Sequence, residues 1–376
     1  MGLVAASLLA NPSAEAATSA ALLEDVPLAA GSTLRYDLVA YGPYGGFRAT
    51  FAKSHRFTSR VVSLQLRKAD AWVEVASKKM TAKGEVVFKY QPRPGQTYRA
   101  VADTFKGKVK GKKVTAAPVT THTVTAAATA REWHFTEPEA DWTYRNTGSF
   151  KAGGRLCAAP SEKNVSFADG KAVLKVTKVS DKALVKKVTK AAKAAQKKAK
   201  KKQVGCPNGV YHNAMISTQG TFLAKSGTLS ARVKFPLGQG MHTGIWLQSS
   251  EHSELDVVES YGYGKYITSG IHLKGKQTVK YILKQPIRSK SWWSKYHIVS
   301  VKWNRTTVSM WVDGTKVQQI KKTKPDTEYY LVLSLLTSDW ETSTMTRPRH
   351  GAPGVKRTNL ATSKFYVDWI KYWDRV

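Results

Sequence analysis

Three carboxylates fall within six residues at Glu254-Leu255-Asp256-Val257-Val258-Glu259, whose other members, Leu and Val, are those of a buried strand. Charges this close in an apolar strand are costly unless they are paired, solvated or put to use. No Lys or Arg lies between Thr243 and Tyr263 to pair with them. Chemistry therefore explains them better than structure does, and carboxyl groups so crowded can divide into one ionised and one protonated, the pair that acid/base work needs.

Side chains of a strand alternate faces, so Glu254 and Asp256 share one. Glu259 has the wrong parity to join them. A β-bulge within Val257-Val258 would restore it, and bulges are common beside active sites, where they re-aim a side chain. With the bulge, the glutamates sit about four strand steps, roughly 13 Å, apart along the backbone. Their side chains must lean together over Asp256 to reach the ~5–5.5 Å separation of a retaining glycosidase.

The Glu-x-Asp-x-x-Glu strand resembles the signature of glycoside hydrolase family 16. Gly227–Pro236, Gly244–Leu247, Tyr296–Trp303, Trp311–Gly314 and Tyr366–Ile370 resemble further family segments in order and spacing. The resemblance spans about residues 133–376 and implies an all-β fold, a concanavalin-like jelly-roll β-sandwich. It also implies that Glu254 is the nucleophile, Glu259 the acid/base and Asp256 the assisting carboxylate. Crowding fits these roles: once Glu254 is charged, Glu259 is expected to keep its proton. The implied activity is a retaining endo-β-glycanase, on β-1,3- or mixed β-1,3/1,4-glucan. A lectin on the same scaffold, a transglycosylase and an enzyme of anionic galactans are the alternatives. No cofactor is required. Some members carry a structural calcium, for which Asp368 is the candidate ligand here.

The sequence departs from the family around the acids. Gln248–Ser253 is short and polar where Trp-Pro and Gly are usual, His242-Thr243-Gly244 replaces a Pro-Ala segment, and Leu333–Glu341 replaces an Asn-rich one. Candidate sugar contacts are Trp246, His272 and Trp340, then His242 and His252, because aromatic faces cover pyranose rings and imidazoles bond hydroxyls. Trp303, Trp311, Trp369 and Trp373 read as core. Trp292-Trp293 reads equally as a sugar platform or as a cap on the sandwich.

The elements that position this site occupy only part of 376 residues, and ten of eleven tryptophans follow residue 130. Residues 28–126 carry short alternating runs such as Val61–Leu66 and Val86–Tyr90 between turn signals, and are expected to form a small antiparallel sandwich of immunoglobulin or fibronectin type III style. A spacer is favoured over a sugar-binding module for it. The catalytic unit is placed at 131–376, with a Lys-rich insertion at about residues 181–203.

Residues 1–20 look like a secretory signal without its basic start, and no run is long and apolar enough to span a membrane. Cys157 and Cys206 are expected to form one disulfide in an exported protein. The Ala/Lys-rich stretch Lys182–Lys202 between them allows a short basic helix, with a solvated, frayed insertion as the default. A net charge of +34 favours anionic partners such as wall polymers. No helix-turn-helix, zinc-finger or aromatic nucleic-acid motif occurs, which excludes sequence-specific nucleic-acid binding. The oligomeric state is not legible.

Overall fold

The computed structural model describes residues 26–37, 46–90, 92–127, 129–150, 155–200, 205–207, 209–238, 240–250, 253–262, 267–273, 276–282, 287, 289–321, 328–337 and 364–374. The signal-like segment, His252 and Trp340 lie outside these residues. The chain divides into two compact units after Ala126.

In the first unit a three-stranded sheet (Thr33–Asp37, Gly46–Thr50, Glu85–Phe88) and a larger antiparallel sheet built on Val61–Lys68, Ala71–Lys79 and Thr97–Ala102 share one apolar core. Alternation puts Phe47, Leu64, Val86 and Tyr98 into that core. The Arg60 guanidinium is buried beside it and donates to the backbone carbonyls of Asp103, Ala102 and Ala117. Trp72 lies under the Arg99 guanidinium, 4.2 Å from its ring centre, so its face is covered.

The second unit is a jelly-roll sandwich of two sheets. One has the order Val165–Ala168, Lys171–Lys175, Lys364–Asp374, Gly227–Lys234, His297–Trp303, Thr307–Val312, Thr315–Lys321. The other runs Thr143–Tyr144, Tyr211–Ser217, Tyr329–Leu336, His242–Ser249, Glu254–Ser260, Ile267–Leu273, Lys276–Ile282. Their inner faces interdigitate through Leu229, Ala231, Val233, Ile245, Leu247, Leu255, Leu331, Leu333 and Ile370, all fully buried. Trp303 and Trp373 are buried at the core as expected. Trp311 is not: it is half-exposed at a turn, with the Lys316 ammonium over its ring.

Trp292 and Trp293 are buried, which settles their role as a cap. Trp292 stacks on His297 and Phe235, and the Trp293 indole donates to the Ile287 carbonyl.

The Lys-rich insertion forms the basic helix that its sequence allows, 17 residues over Lys182–Lys198, rather than the solvated insertion expected by default. Like-charge repulsion along it is overcome by specific anchors. Asp181 caps its first turn, accepting from the Ala183 and Leu184 amides at 2.8 and 3.1 Å. Val188, Ala192 and Gln196, each four residues apart, form its buried stripe. Gln196 exchanges two hydrogen bonds with the Gly205 backbone, and the Cys157–Cys206 disulfide ties down the chain beside it.

A buried cation sits in the sheet that contains Lys364–Asp374. Lys371 is enclosed and its ammonium donates to Glu132 at 2.8 Å. Burial acts to raise the Glu132 carboxyl, but Lys371, Thr129 and His134 outweigh it and hold it at about 2. A carboxyl so depressed stabilises the fold above its unfolded value of 4.5, and that contribution is lost as pH falls through about 2. Glu132→Gln is expected to cost about 3 kcal/mol or more, because it removes the carboxylate charge that the buried Lys371 ammonium donates to. Urea denaturation at neutral pH checks this.

Asp368, the calcium candidate, already faces a cation: Arg232 pairs with its carboxylate. That carboxylate is a poor fit for a calcium ligand. Among the described residues no helix is long and apolar enough to cross a membrane.

Candidate active site

The strand Glu254–Ser260 lies between His242–Ser249 and Ile267–Leu273. Asp256 faces Trp246 on one side and Gly270 on the other, whereas Glu259 faces Gly244 and Thr268. Three steps on the central strand thus match two on each neighbour, which is the expected bulge at Val257-Val258. Both valines point into the core. Glu259 therefore returns to the face of Glu254 and Asp256, and all three acids line one cleft of about 310 Å³.

Period-two alternation supplies the cleft's next residues. His242, Gly244, Trp246 and Gln248 share the same outer face of their strand and line the cleft, with Ser334 and Leu336 from the neighbouring strand Tyr329–Leu336. Trp246 is half-buried and donates to Ser334 Oγ at 3.2 Å. A side chain at Gly244 would meet the Trp246 ring and Ser334 at 3.1 and 3.3 Å, so the glycine lets the indole lie close.

Arg145 enters from the segment before the sheet. Its guanidinium lies over Trp246, donates to Gln248 Oε1 at 2.6 Å and to Tyr330 OH at 3.2 Å, and leaves Nη1 buried without an acceptor among the described residues. The groove continues past Arg145 and Gln248 to Ser250, Tyr330 and Leu223.

Each of the two inner acids is bound to a histidine. Asp256 meets His272 Nε2 at 3.0 Å, and Glu259 Oε1 meets His242 Nε2 at 2.6 Å. Tyr261 and Thr268 hydroxyls donate to the other Glu259 oxygen at 3.4 and 3.3 Å. Burial, then the Glu259 and Glu254 charges, push Asp256 well above the usual carboxyl range, with His272 offsetting part of this. His272 is raised in turn by its bond to Asp256, so this pair holds its proton as a unit. For Glu259, burial acts upward but the His242 hydrogen bond and charge outweigh it and hold the carboxyl below its usual range.

The expectation that Glu259 keeps its proton is thus corrected: the cross-strand hydrogen bond from His242 favours its ionised form. His242 and His272, the candidate sugar contacts, each turn Nε2 to a carboxylate, and His242 also lines the cleft. Glu254, Asp256 and His272 each offer one ligand atom within 4.8 Å of the others, a spacing that the Asp256–His272 hydrogen bond already accounts for without an ion.

A family model described as glycosyl hydrolases family 16 matches residues 160–371, more than half of the chain. The chain belongs to glycosyl hydrolase family 16. Solved structures similar to this family 16 chain include the laminarinase from Rhodothermus marinus (15% identity, 66% of this chain and 97% of that one, TM-score 0.50). They also include SCLam, a non-specific endo-β-1,3(4)-glucanase (18%, 66% and 91%, TM-score 0.50). The laminarinase catalytic domain from Thermotoga maritima is similar at 17% identity, over 66% of this chain and 98% of that one, with a TM-score of 0.49. At these identities the first two establish the fold alone. Comparison with curated protein sequences finds no match.

As a family 16 member the chain is a glycoside hydrolase of a retaining family. Its acids are delivered by the bulge, and the turn that ends their strand is fixed by backbone. Gly262 has φ +68°, and a Cβ there would lie 1.9 Å from the Gly238 carbonyl oxygen. Gly262→Ala is expected to destabilise by about 2 kcal/mol or more through strain and collision, checked by the shift in denaturation midpoint.

Sequence reading did not find Arg145, Arg155, Ser334 or Gln248. Gln248 was within reach, two residues from Trp246 and hence on its face. The others carry no local signal, since distant segments bring them to the cleft.

Proposed function

We propose that this enzyme is a secreted, retaining endo-β-glycanase of β-1,3- or mixed β-1,3/1,4-glucan. The observation that carries the reading is the bulge, which sets Glu254, Asp256 and Glu259 in one groove. Glu254 attacks the anomeric carbon while the proton held between Glu259 and His242 passes to the glycosidic oxygen and the leaving chain departs. Glu259 then takes a proton from water, whose oxygen attacks the same carbon and frees Glu254. Asp256 holds a proton with His272, so the groove does not carry three full negative charges.

Trp246 offers an aromatic face to a pyranose, and the Arg145 side chain lines the same groove. The groove's continuation along Gln248 and Tyr330 supports cleavage within a chain. A glucan substrate is supported by the activities of the laminarinase and endo-β-1,3(4)-glucanase that share the fold. A second reading, an anionic galactan, is favoured by the two guanidinium groups of Arg145 and Arg155 in the cleft wall.

Release of reducing ends from laminarin, lichenan, agarose and carrageenan tests the substrate. Cutting of the first two supports the main reading, and cutting only of carrageenan the second. Binding without cutting would make the protein a lectin, and products longer than the starting oligosaccharide would mark transglycosylation.

Export is supported by the disulfide. The exposed lysines of the basic helix, Lys182, Lys186, Lys190, Lys193 and Lys197 among them, suit loose attachment to anionic wall polymers. Retention on such a polymer is expected to vanish as salt shortens the Debye length from ~8 Å at physiological strength to ~3 Å at 1 M.

A further inference from the structure

We infer that His242 is a positioning residue for acid/base catalysis: it holds the proton jointly with Glu259 and hands it back when the leaving oxygen needs it. The inference rests on the proposed role of Glu259 and adds a partner to it. His242 Nε2 stands 2.6 Å from Glu259 Oε1, both side chains are more than four-fifths buried, and the contact crosses two adjacent strands.

The imidazole is fixed from its other sides. Its ring lies against the Tyr261 ring with centroids 4.6 Å apart, and Arg155 Nη2 approaches Nδ1 at 3.5 Å. Sharing a proton with Glu259 through Nε2 requires that Nδ1 carry its own hydrogen. Arg155 can only donate and so favours a bare Nδ1, but at 3.5 Å it is the weaker contact, and the 2.6 Å bond to Glu259 outweighs it. The neutral pair is then carboxylic acid with imidazole or carboxylate with imidazolium. Both forms keep the hydrogen on Nδ1 and share one further proton, and transfer between them moves it along one hydrogen bond without changing net charge.

The other charged and titratable groups around the pair are Glu254 and Asp256 on Glu259's own strand, His272 on the next strand, Tyr261 after it, and Arg145 and Arg155 on the opposing wall. Burial alone would raise a glutamic acid, yet Glu259 is held low, chiefly by the hydrogen bond and charge of His242. The last proton of the pair therefore leaves from imidazolium beside carboxylates, at higher pH than it would leave a solitary glutamic acid. The basic limb of kcat/KM on polymer reports that loss.

The test compares His242→Gln and His242→Phe with the native enzyme across pH. Gln retains a hydrogen bond to Glu259 but cannot carry the proton, whereas Phe fills the space and does neither. In both variants the basic limb is expected to move toward acid by about one pH unit or more, with kcat falling about 10²-fold at the native optimum. Melting curves of the variants confirm folding.

A native-like profile for His242→Gln would mean that the contact is only structural and would overturn the inference. So would a rise in KM alone at an unmoved pH profile, the mark of a sugar contact. Glu259→Gln, assayed alongside, separates the levels. If it abolishes polymer cleavage while the His242 profiles stay put, this inference fails and the acid/base reading stands. If Glu259→Gln keeps native activity, the acid/base reading itself fails.

Discussion

Glu254→Gln is expected to lower kcat on polymer by roughly 10⁴-fold or more, since an amide cannot form the covalent glycosyl intermediate. Glu259→Ala is expected to lose about 10²–10⁴-fold on the same polymer, the usual worth of a general acid. The two variants should differ on an aryl glycoside whose leaving group departs without a proton. There Glu259→Ala still forms the glycosyl-enzyme and stalls at hydrolysis, and azide, which needs no base, should restore turnover and yield a β-glycosyl azide. The prediction follows from position: both acids are on one face only because Val257 and Val258 consecutively enter the core. Equal losses on both substrates, with no azide product from Glu259→Ala, would remove Glu259 from the acid/base role.

The second large effect concerns the disulfide. Cys157 and Cys206 are 49 residues apart in sequence and 5.6 Å apart between Cα atoms. On the chain-entropy model, opening a loop of this length costs about 4 kcal/mol. In a unit of this size that corresponds to a fall of roughly 8–16 °C in melting temperature. The local consequence reaches the site. Cys157 precedes Ala158–Pro160, a strand beside Tyr211–Ser217, and Ala158 and Pro160 line the cleft. Cys206 follows Gly205, whose backbone holds Gln196 of the basic helix. Cys206→Ser is therefore expected to loosen both the helix and one cleft wall. Thermal melts of native and variant protein, with and without reductant, check it, and an unchanged midpoint would contradict it.

The site was legible where its signal was local. Three acids in an apolar strand with the wrong parity for one of them implied a bulge, and the register shows it between Asp256 and Glu259. What was missed depends on which strands become neighbours. The protonation of Glu259 turns on His242, seventeen residues earlier and across a strand pair, and charge crowding within the strand gave no sign of it. Arg145 reaches Gln248 from 103 residues away. Trp292 and Trp293 sit in a polar stretch, and only contacts with Phe235 and His297 decide that they are buried. The Lys-rich segment misled in the other direction. Its repulsion was visible, but the Asp181 cap and the Gly205 anchor that offset it needed the folded loop.

Among these tests, covalent trapping bears most directly on the carboxylate arrangement. The enzyme would be incubated with an epoxyalkyl β-oligoglucoside, digested, and its peptides mapped by mass spectrometry. One sugar-bearing label on Glu254, with activity lost in step, is the predicted result. A label on Asp256 or Glu259 with Glu254 untouched would contradict the assignment of the attacking group.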